Sequence, residues 1–131
     1  MSTFLSPARL REIALEAGAR PPCPACARLA SPGWESLPAE FDLRALRPVG
    51  TLRVPAADPD HDDEPTWAEH HPDGTRTDSP RAPIAPAFHP YNRSEVWACT
   101  TCGKPYLRYT EFGGYYVDPR IRELDPTLLV D

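Results

Sequence analysis

The sequence predicts a small α+β domain in which an N-terminal helix precedes a three-stranded antiparallel sheet. Three observations predict this class. Apolar residues recur at helical spacing near the start, three strand-like segments lie in the last third, and four cysteines stand in two Cys-x-x-Cys pairs, one beside each region. The 131 residues suffice for one well-buried core but not for two. We therefore predict a single domain over residues 1–131.

The helix is predicted over residues 7–17. Ser6 can cap its free amides, and Pro7 suits the first helical position because no hydrogen bond is lost there. Gly18 can end the helix in a left-handed conformation. The residues that recur at helical spacing are apolar: Leu10, Ile13, Ala14 and Ala17. One amphipathic helix therefore leads into the proline-rich stretch "ARPPCPACARLA", where it cannot continue.

Residues 95–124 predict the second cysteine turn and the sheet. "SEVWACT", "PYLRYTE" and "YYVDPRIREL" have strand composition, and "FGG" supplies the glycines that a hairpin turn requires. Strand alternation places Tyr106 and Arg108 on one face of the sheet and Leu107 and Tyr109 on the other. The segment around residues 49–54 is a further strand candidate.

Residues 55–90 form a proline-rich acidic segment. It holds eight acidic residues against Arg76 and Arg81 and so carries a charge of -6, whereas the rest of the chain carries +1, which gives the formal net charge of -5. Such a composition buries little apolar surface to offset its ordering entropy. We expect an extended or mobile insertion. Neither part of the chain has the strongly basic character of a protein that grips phosphate backbones.

The four cysteines point to one metal site. Cys23 and Cys26 form the first pair, and Cys99 and Cys102 form the second, 72 residues later. Zinc prefers four soft ligands at tetrahedral corners, and each Cys-x-x-Cys turn delivers two sulfurs. Gly103 after the second pair can adopt positive φ and let backbone amides face the thiolates. The first pair lacks such a glycine, so we expect strain or a different turn there.

"CPAC" and "CTTCGK", with the strands around the latter, resemble the zinc-ribbon group, in which two such turns hold one zinc. The resemblance covers about a third of the chain and implies a structural Zn²⁺. It says almost nothing about function, because zinc ribbons serve nucleic-acid-binding, enzymatic and interaction proteins alike. Here the gap between the pairs is longer than in the usual ribbon. Trp97, in the strand that enters the second turn, is expected to cover the metal.

Other chemistry remains open for the same thiols. A rubredoxin-like iron site uses the same four ligands, and would make the protein an electron carrier. "CPAC" also resembles the active pair of glutaredoxin-type thiol enzymes, but those need a strand before the motif and a helix starting at it. Disulfides are a further alternative. A filled four-thiolate site is closed to substrate, which favours a structural metal.

No catalytic motif is evident. The sequence contains no phosphate-binding G-x-x-x-x-G-K-[ST] loop, no H-E-x-x-H helix and no recognisable Ser-His-Asp turn. The four histidines, all within the acidic segment, lack the spacing of a second metal site and are interpreted as solvated polar residues. We therefore expect a protein without enzymatic activity.

A protein-binding role is the leading functional hypothesis. Four tyrosines in residues 106–116 exceed what one face of a small sheet needs, and aromatic and arginine side chains are favoured at interfaces. The predicted partner-binding residues are Arg108, Tyr109, Tyr115 and Arg120. The small size and acidic charge resemble those of bacterial immunity proteins that neutralise toxins, and the acidic segment could meet a basic partner. The alternative is a nucleic-acid-binding ribbon that uses these residues for stacking and phosphate contacts.

Composition also suggests a location. Arginine outnumbers lysine 13 to 1, and alanine and proline are abundant, as in proteins from GC-rich bacterial genomes. Charges interrupt the apolar run at the N-terminus, unlike a signal peptide, and no window approaches the roughly 18 apolar residues of a membrane span. A cytoplasmic protein with no membrane partner is predicted, and in the cytoplasm thiols stay reduced or bind metal.

Overall fold

The computed structural model of the protein describes residues 3–18, 21–54, 66–112 and 115–130. Within those ranges a helix α1 (Pro7–Ala17) accompanies strands β1 (Glu35–Ser36), β2 (Leu46–Thr51), β3 (Glu95–Cys99), β4 (Pro105–Phe112) and β5 (Val117–Glu123). The strands form one antiparallel sheet in the order β1-β5-β4-β3-β2.

The predicted three-stranded sheet is wrong, because β1 and β2 extend it to five strands. β1 has only two residues and pairs with Arg120 and Ile121, so no pattern in the sequence marks it. β2 was expected over residues 49–54 and in fact begins at Leu46. A register shift between Pro48 and Gly50 interrupts its pairing with β3, and such an irregularity removes the two-residue alternation.

The helix prediction is confirmed over its full length. The Ser6 hydroxyl accepts a hydrogen bond from the Arg9 amide at 3.1 Å, and Gly18 ends the helix with φ of 69°. Leu10 and Ala14 are fully buried, as the apolar spacing predicts. No helix among the described residues has both the length and the apolar character needed to cross a membrane.

The sheet is covered on both faces, and the two layers differ. The face that packs against α1 is here called the helix face, and its buried residues are Leu5, Leu10, Ala14, Trp34, Leu52, Ile84, Tyr91, Val96, Leu107 and Leu124. The opposite face is called the cysteine face, and its buried residues are Cys26, Leu29, Leu46, Cys99, Tyr106 and Ile121. The predicted alternation along β4 is confirmed, because Tyr106 and Leu107 enter different layers.

Part of the proline-rich segment belongs to the core. Ile84 is fully buried, and its backbone exchanges hydrogen bonds of 2.8 and 3.0 Å with Leu128 and Val130. Ala82 and Ala85 are also buried. The expectation that this segment buries little surface therefore does not hold for its C-terminal part. Residues 55–65, which carry five of its eight acidic side chains, lie outside the described residues.

A buried arginine ties this segment to the sheet. Arg122 in β5 has no exposed surface, although arginine is rarely found fully buried. Its guanidinium donates to the Tyr91 hydroxyl at 2.5 Å and to the Ala82 carbonyl at 2.8 Å. The rigid, planar guanidinium donates to a hydroxyl and a carbonyl at the same time. Arg122 therefore fixes the path of the chain from Ala82 to Tyr91 across the helix face.

Candidate metal centre

The second cysteine turn follows β3 directly. Cys99 is the last residue of that strand, and its sulfur accepts a hydrogen bond from the Thr101 amide at 3.4 Å. Gly103 has φ of 79°, a conformation that side chains with a Cβ disfavour, and donates to the Cys99 carbonyl at 2.8 Å. This confirms the predicted use of Gly103 to close the turn around its sulfurs.

The first cysteine turn has a different geometry, as the missing glycine led us to expect. The Cys26 amide donates to the Cys23 carbonyl at 3.0 Å, and the Leu29 amide donates to the Cys26 carbonyl at 2.9 Å. Residues Ala27–Leu29 then form a single 3₁₀ turn. No residue other than glycine has positive φ in the described part of the chain, so this turn closes without the left-handed conformation.

The two turns bring all four sulfurs together. The Sγ atoms of Cys23 and Cys26 lie 3.7 Å apart, those of Cys23 and Cys99 3.7 Å, and those of Cys26 and Cys102 3.8 Å. All four sulfurs lie within 4.8 Å of one another. A tetrahedron with metal–sulfur bonds of about 2.3 Å has edges of about 3.8 Å, which these three separations match. The separations far exceed the roughly 2.05 Å bond of a disulfide.

The acidities of the thiols show why this site suits a metal ion. Burial raises the pKa of Cys26 to about 12, so its thiolate would be unfavourable without a cation beside it. Burial would also raise the pKa of Cys102, but hydrogen bonds from the Lys104 amide and from neighbouring thiols lower it to about 7. Four soft sulfur donors suit zinc or iron, and either ion would hold all four as thiolates.

Tyr106 supplies an independent indication. Its side chain is fully buried on the cysteine face, and no described residue gives its hydroxyl a hydrogen-bond partner of ordinary geometry. Burial raises the pKa of Tyr106, and the neighbouring Cys26 raises it further. A buried hydroxyl without a partner is costly. If Cys26 binds a metal as a thiolate, its charged sulfur becomes the acceptor that this hydroxyl lacks.

The surroundings of the sulfurs are largely apolar, although Cys23 and Cys102 are partly exposed. Cys26 and Cys99 are buried among Leu29, Leu46 and Ile121. Partly buried side chains complete the layer: Leu37, Phe41 and Trp97. Trp97 therefore packs on the cysteine layer, the face on which it was expected to cover a metal. A metal held by four protein ligands would have no open position for a substrate, which is the character of a structural metal site.

Sequence reasoning missed a buried ion pair next to the metal site. The Lys104 ammonium lies 3.0 Å from Glu123 Oε1, with 5 % of the lysine side chain exposed. The Ser31 amide donates to the other Glu123 oxygen at 2.6 Å. The pair thus joins the second cysteine turn to β5 and to the segment that follows the first turn. Lys104 is the only lysine in the sequence, and its place directly after the second turn was the available signal.

The four predicted partner-binding residues do not share one surface. Tyr109 and Arg120 lie opposite each other on β4 and β5, with Arg120 Nη1 donating to the tyrosine hydroxyl at 3.4 Å. Tyr109 also packs edge-on against Trp34 in the core. Arg108 faces the other way, with its guanidinium 4.7 Å from the Trp97 ring. Tyr115 is fully exposed near the end of the hairpin.

A hydrogen-bonded group in the proline-rich segment has the residue types of a catalytic triad but not the geometry. His71 Nε2 lies 2.8 Å from Glu69 Oε1 and 3.0 Å from Thr77 Oγ1, and Thr77 also bonds to Glu69. A triad needs the carboxylate on one ring nitrogen and the hydroxyl on the other. Here one nitrogen meets both groups, and His71 Nδ1 has no partner among the described residues. The arrangement therefore lacks the order of groups that defines a catalytic triad.

Comparison with known proteins gives no match to a family model, to a curated protein or to a solved structure.

Proposed function

We propose that the protein binds one structural Zn²⁺ through Cys23, Cys26, Cys99 and Cys102 and serves as a protein-interaction module. The convergence of four sulfurs at tetrahedral separations carries the metal part of this proposal. Zinc is preferred to iron because it is the usual ion of closed four-cysteine sites built from two Cys-x-x-Cys turns.

The metal joins two parts of the chain that are distant in sequence. The first turn follows α1, and the second joins β3 to β4, with 72 residues between the pairs. Linking such separated turns restricts the unfolded chain, and metal binding is coupled to folding. The ion thereby stabilises the cysteine face, where the sulfurs replace part of an apolar core.

The interaction part of the proposal is supported by exposed apolar side chains around the end of the β4–β5 hairpin. Phe112 is 75 % exposed, and Tyr115, Tyr116 and Val117 are exposed as well. Single exposed apolar residues are ordinary, but a group of them with aromatic rings is typical of protein-binding surfaces. A toxin-neutralising role is one form of this proposal, supported by the small size and the formal net charge of -5.

Elemental analysis of protein purified without added metal tests the metal part. We expect one zinc per chain in the wild type and none in Cys102→Ser. An iron tetrathiolate would instead give a red protein in its oxidised form, which supports the rubredoxin-like alternative. Stoichiometric recovery of neither metal would refute the proposal.

The interaction part is tested by comparing baits that differ only at the hairpin end. Wild type and a Tyr115→Asp, Tyr116→Asp variant are each incubated with native cell extract at physiological salt. We expect a protein that is retained by the wild type and lost by the variant. Retention of nucleic acid that falls steeply with salt would support the nucleic-acid alternative.

A further inference from the structure

Tyr106 lies on the cysteine face, in the central strand of the sheet. It pairs with Trp97 of β3 on one side and with Glu123 of β5 on the other. Its side chain has no exposed surface and packs in the same cluster as Cys26 and Cys99. Because strands hold the backbone on both sides and the ring is enclosed, the hydroxyl has a fixed position next to the sulfurs.

The Tyr106 hydroxyl is placed to act on Cys26. Cys26 is also fully buried, and its sulfur is within reach of a hydrogen bond from this hydroxyl. No described residue gives the hydroxyl a bond of ordinary geometry. A neutral thiol is a weak acceptor, whereas a thiolate accepts a charge-assisted hydrogen bond that is roughly twice as strong. Cys26 therefore becomes a good acceptor only when its sulfur is charged.

Other sulfurs of the site also have donors beside them. The Thr101 amide donates to Cys99 Sγ at 3.4 Å, and the Lys104 amide forms a hydrogen bond with Cys102. The Tyr106 hydroxyl is the corresponding donor for Cys26, but it belongs to a side chain rather than to the backbone. A substitution can consequently remove this donor and leave the cysteine turns unchanged.

The charge of a filled site shows what such donors do. Four thiolates around a divalent ion leave two negative charges, whereas a trivalent ion leaves one. The nearby Lys104 ammonium is neutralised by Glu123 at 3.0 Å, so this ion pair adds no net charge to offset them. Hydrogen bonds to the sulfurs stabilise the more negative state and help to set the reduction potentials of iron–sulfur sites. A donor to Cys26 thus favours a divalent ion over a trivalent one.

We propose that the Tyr106 hydroxyl donates a hydrogen bond to the metal-bound Cys26 thiolate and thereby makes the site selective for a divalent ion. Tyr106 is a positioning residue, because it contacts a ligand and not the ion. Its role rests on the metal part of the proposed function, since it requires an ion bound by the four cysteines.

A matched pair of variants tests the effect on metal affinity. Tyr106→Phe removes the hydroxyl and keeps the ring. Tyr91→Phe does the same for a buried tyrosine on the helix face, whose hydroxyl accepts from Arg122. Zinc affinity is measured by competition with a coloured chelator. It should fall about tenfold in Tyr106→Phe, as when partners of other metal ligands are removed, and stay near the wild-type value in Tyr91→Phe.

Two further measurements separate hydrogen bonding from packing. Each protein is loaded with iron, and the reduction potential of the ferric–ferrous couple is determined by redox titration. The potential should be lower in Tyr106→Phe than in the wild type, because the ferrous site carries more charge on its sulfurs, and unchanged in Tyr91→Phe. In cadmium-loaded wild type, the Tyr106 hydroxyl proton should show scalar coupling to ¹¹³Cd, transmitted through the hydrogen-bonded sulfur.

Several results would overturn this role of Tyr106. An unchanged potential in Tyr106→Phe would mean that the hydroxyl does not act on the sulfurs, even if zinc affinity falls through altered packing. Equal shifts in Tyr106→Phe and Tyr91→Phe would mean that the fold as a whole carries the effect. Absence of the cadmium coupling would show that the hydroxyl donates elsewhere. All three results leave the metal site standing, whereas wild-type protein that binds neither zinc nor iron would refute the metal part of the proposed function as well.

Discussion

The two faces of the sheet are held by different means. The helix face buries ten apolar or aromatic residues in one cluster, together with the Arg122 guanidinium. The cysteine face buries six residues, and two of these are cysteines of the candidate metal site. A small domain with a thin apolar layer commonly needs a metal or disulfides in addition. We therefore expect apolar burial to stabilise the helix face and the proposed metal to stabilise the cysteine face.

The largest effect should follow from removing one sulfur ligand. Cys102→Ser is expected to lose the metal and most of its stabilisation, because apparent zinc binding of about 10–16 kcal/mol in small peptides is coupled to folding. The measurement is thermal unfolding together with metal content. Thr101→Ser, an exposed change in the same turn, is the control and should match the wild type. A Cys102→Ser protein that melts at the wild-type temperature would show that the cysteine face is stable by itself.

On the helix face, the corresponding change should affect stability without touching the metal. Leu10→Ala removes a fully buried side chain and is expected to cost about 2–5 kcal/mol. Chemical denaturation gives the free energy of unfolding, and zinc should remain at one per chain. The control is Leu15→Ala, on the exposed side of the same helix, with an expected change within about 0.5 kcal/mol. Loss of zinc in Leu10→Ala would mean that the two faces are not independent.

Arg122 tests whether the helix face also needs specific polar contacts. Arg122→Lys keeps the charge but not the planar fork that reaches Tyr91 and Ala82 together. We expect a loss of about 1–3 kcal/mol in the free energy of unfolding, since at least one buried acceptor is left without a donor. Arg120→Lys, at a partly exposed position of the same strand, should cost less. Equal losses in both variants would contradict the special role of the buried guanidinium.

Two glycines with positive φ give a finer comparison. Gly103 lies in the second cysteine turn with φ of 79°, and Gly74 lies away from the metal site with φ of 71°. Alanine at either position should cost about 1–2 kcal/mol, because both need the left-handed conformation. Only Gly103→Ala should also weaken zinc affinity, measured by competition with a coloured chelator. If Gly74→Ala weakens zinc affinity to a similar extent, the effect does not come specifically from the second cysteine turn. That result would contradict the role given to Gly103.

The smallest effect concerns the order in which the thiols of metal-free protein react. The pKa of Cys102 is lowered to about 7 in the arrangement of sulfurs that the structure shows. In metal-free protein that retains this arrangement, Cys102 is mostly a thiolate at pH 8 and should be alkylated first. Cys26, whose pKa burial raises to about 12, should react last and only at higher pH. Mass mapping after brief iodoacetamide treatment gives the order. Bound zinc should protect all four cysteines from alkylation. Fast alkylation of Cys26 in zinc-loaded protein would therefore contradict a four-cysteine zinc site.

Local patterns in the sequence predicted the helix, the strands around the second cysteine turn and the pairing of the cysteines. These features depend on caps, spacing and alternation within a few residues. The remaining features depend on distant contacts. β2 was placed too late because its irregular pairing with β3 breaks the alternation. Ile84 lies in a proline-rich stretch without periodicity, and its burial results from contacts with residues 128–130.

The charged residues of the core were the least predictable part of the site. Lys104 and Arg122 were not singled out from the sequence, because a lysine or arginine is rarely buried and no local pattern marks its partner. The partner of Lys104 is Glu123, at the end of another strand, and Arg122 meets the carbonyl of Ala82. Partners of this kind become visible only once the fold brings them together.

X-ray absorption at the zinc edge of the purified, unsupplemented protein tests the central claim most directly, since it reports the type, number and distance of the ligands. The account predicts one zinc per chain with four sulfur neighbours at about 2.3 Å. A first shell that contains nitrogen or oxygen, or a sample without stoichiometric metal, would contradict it.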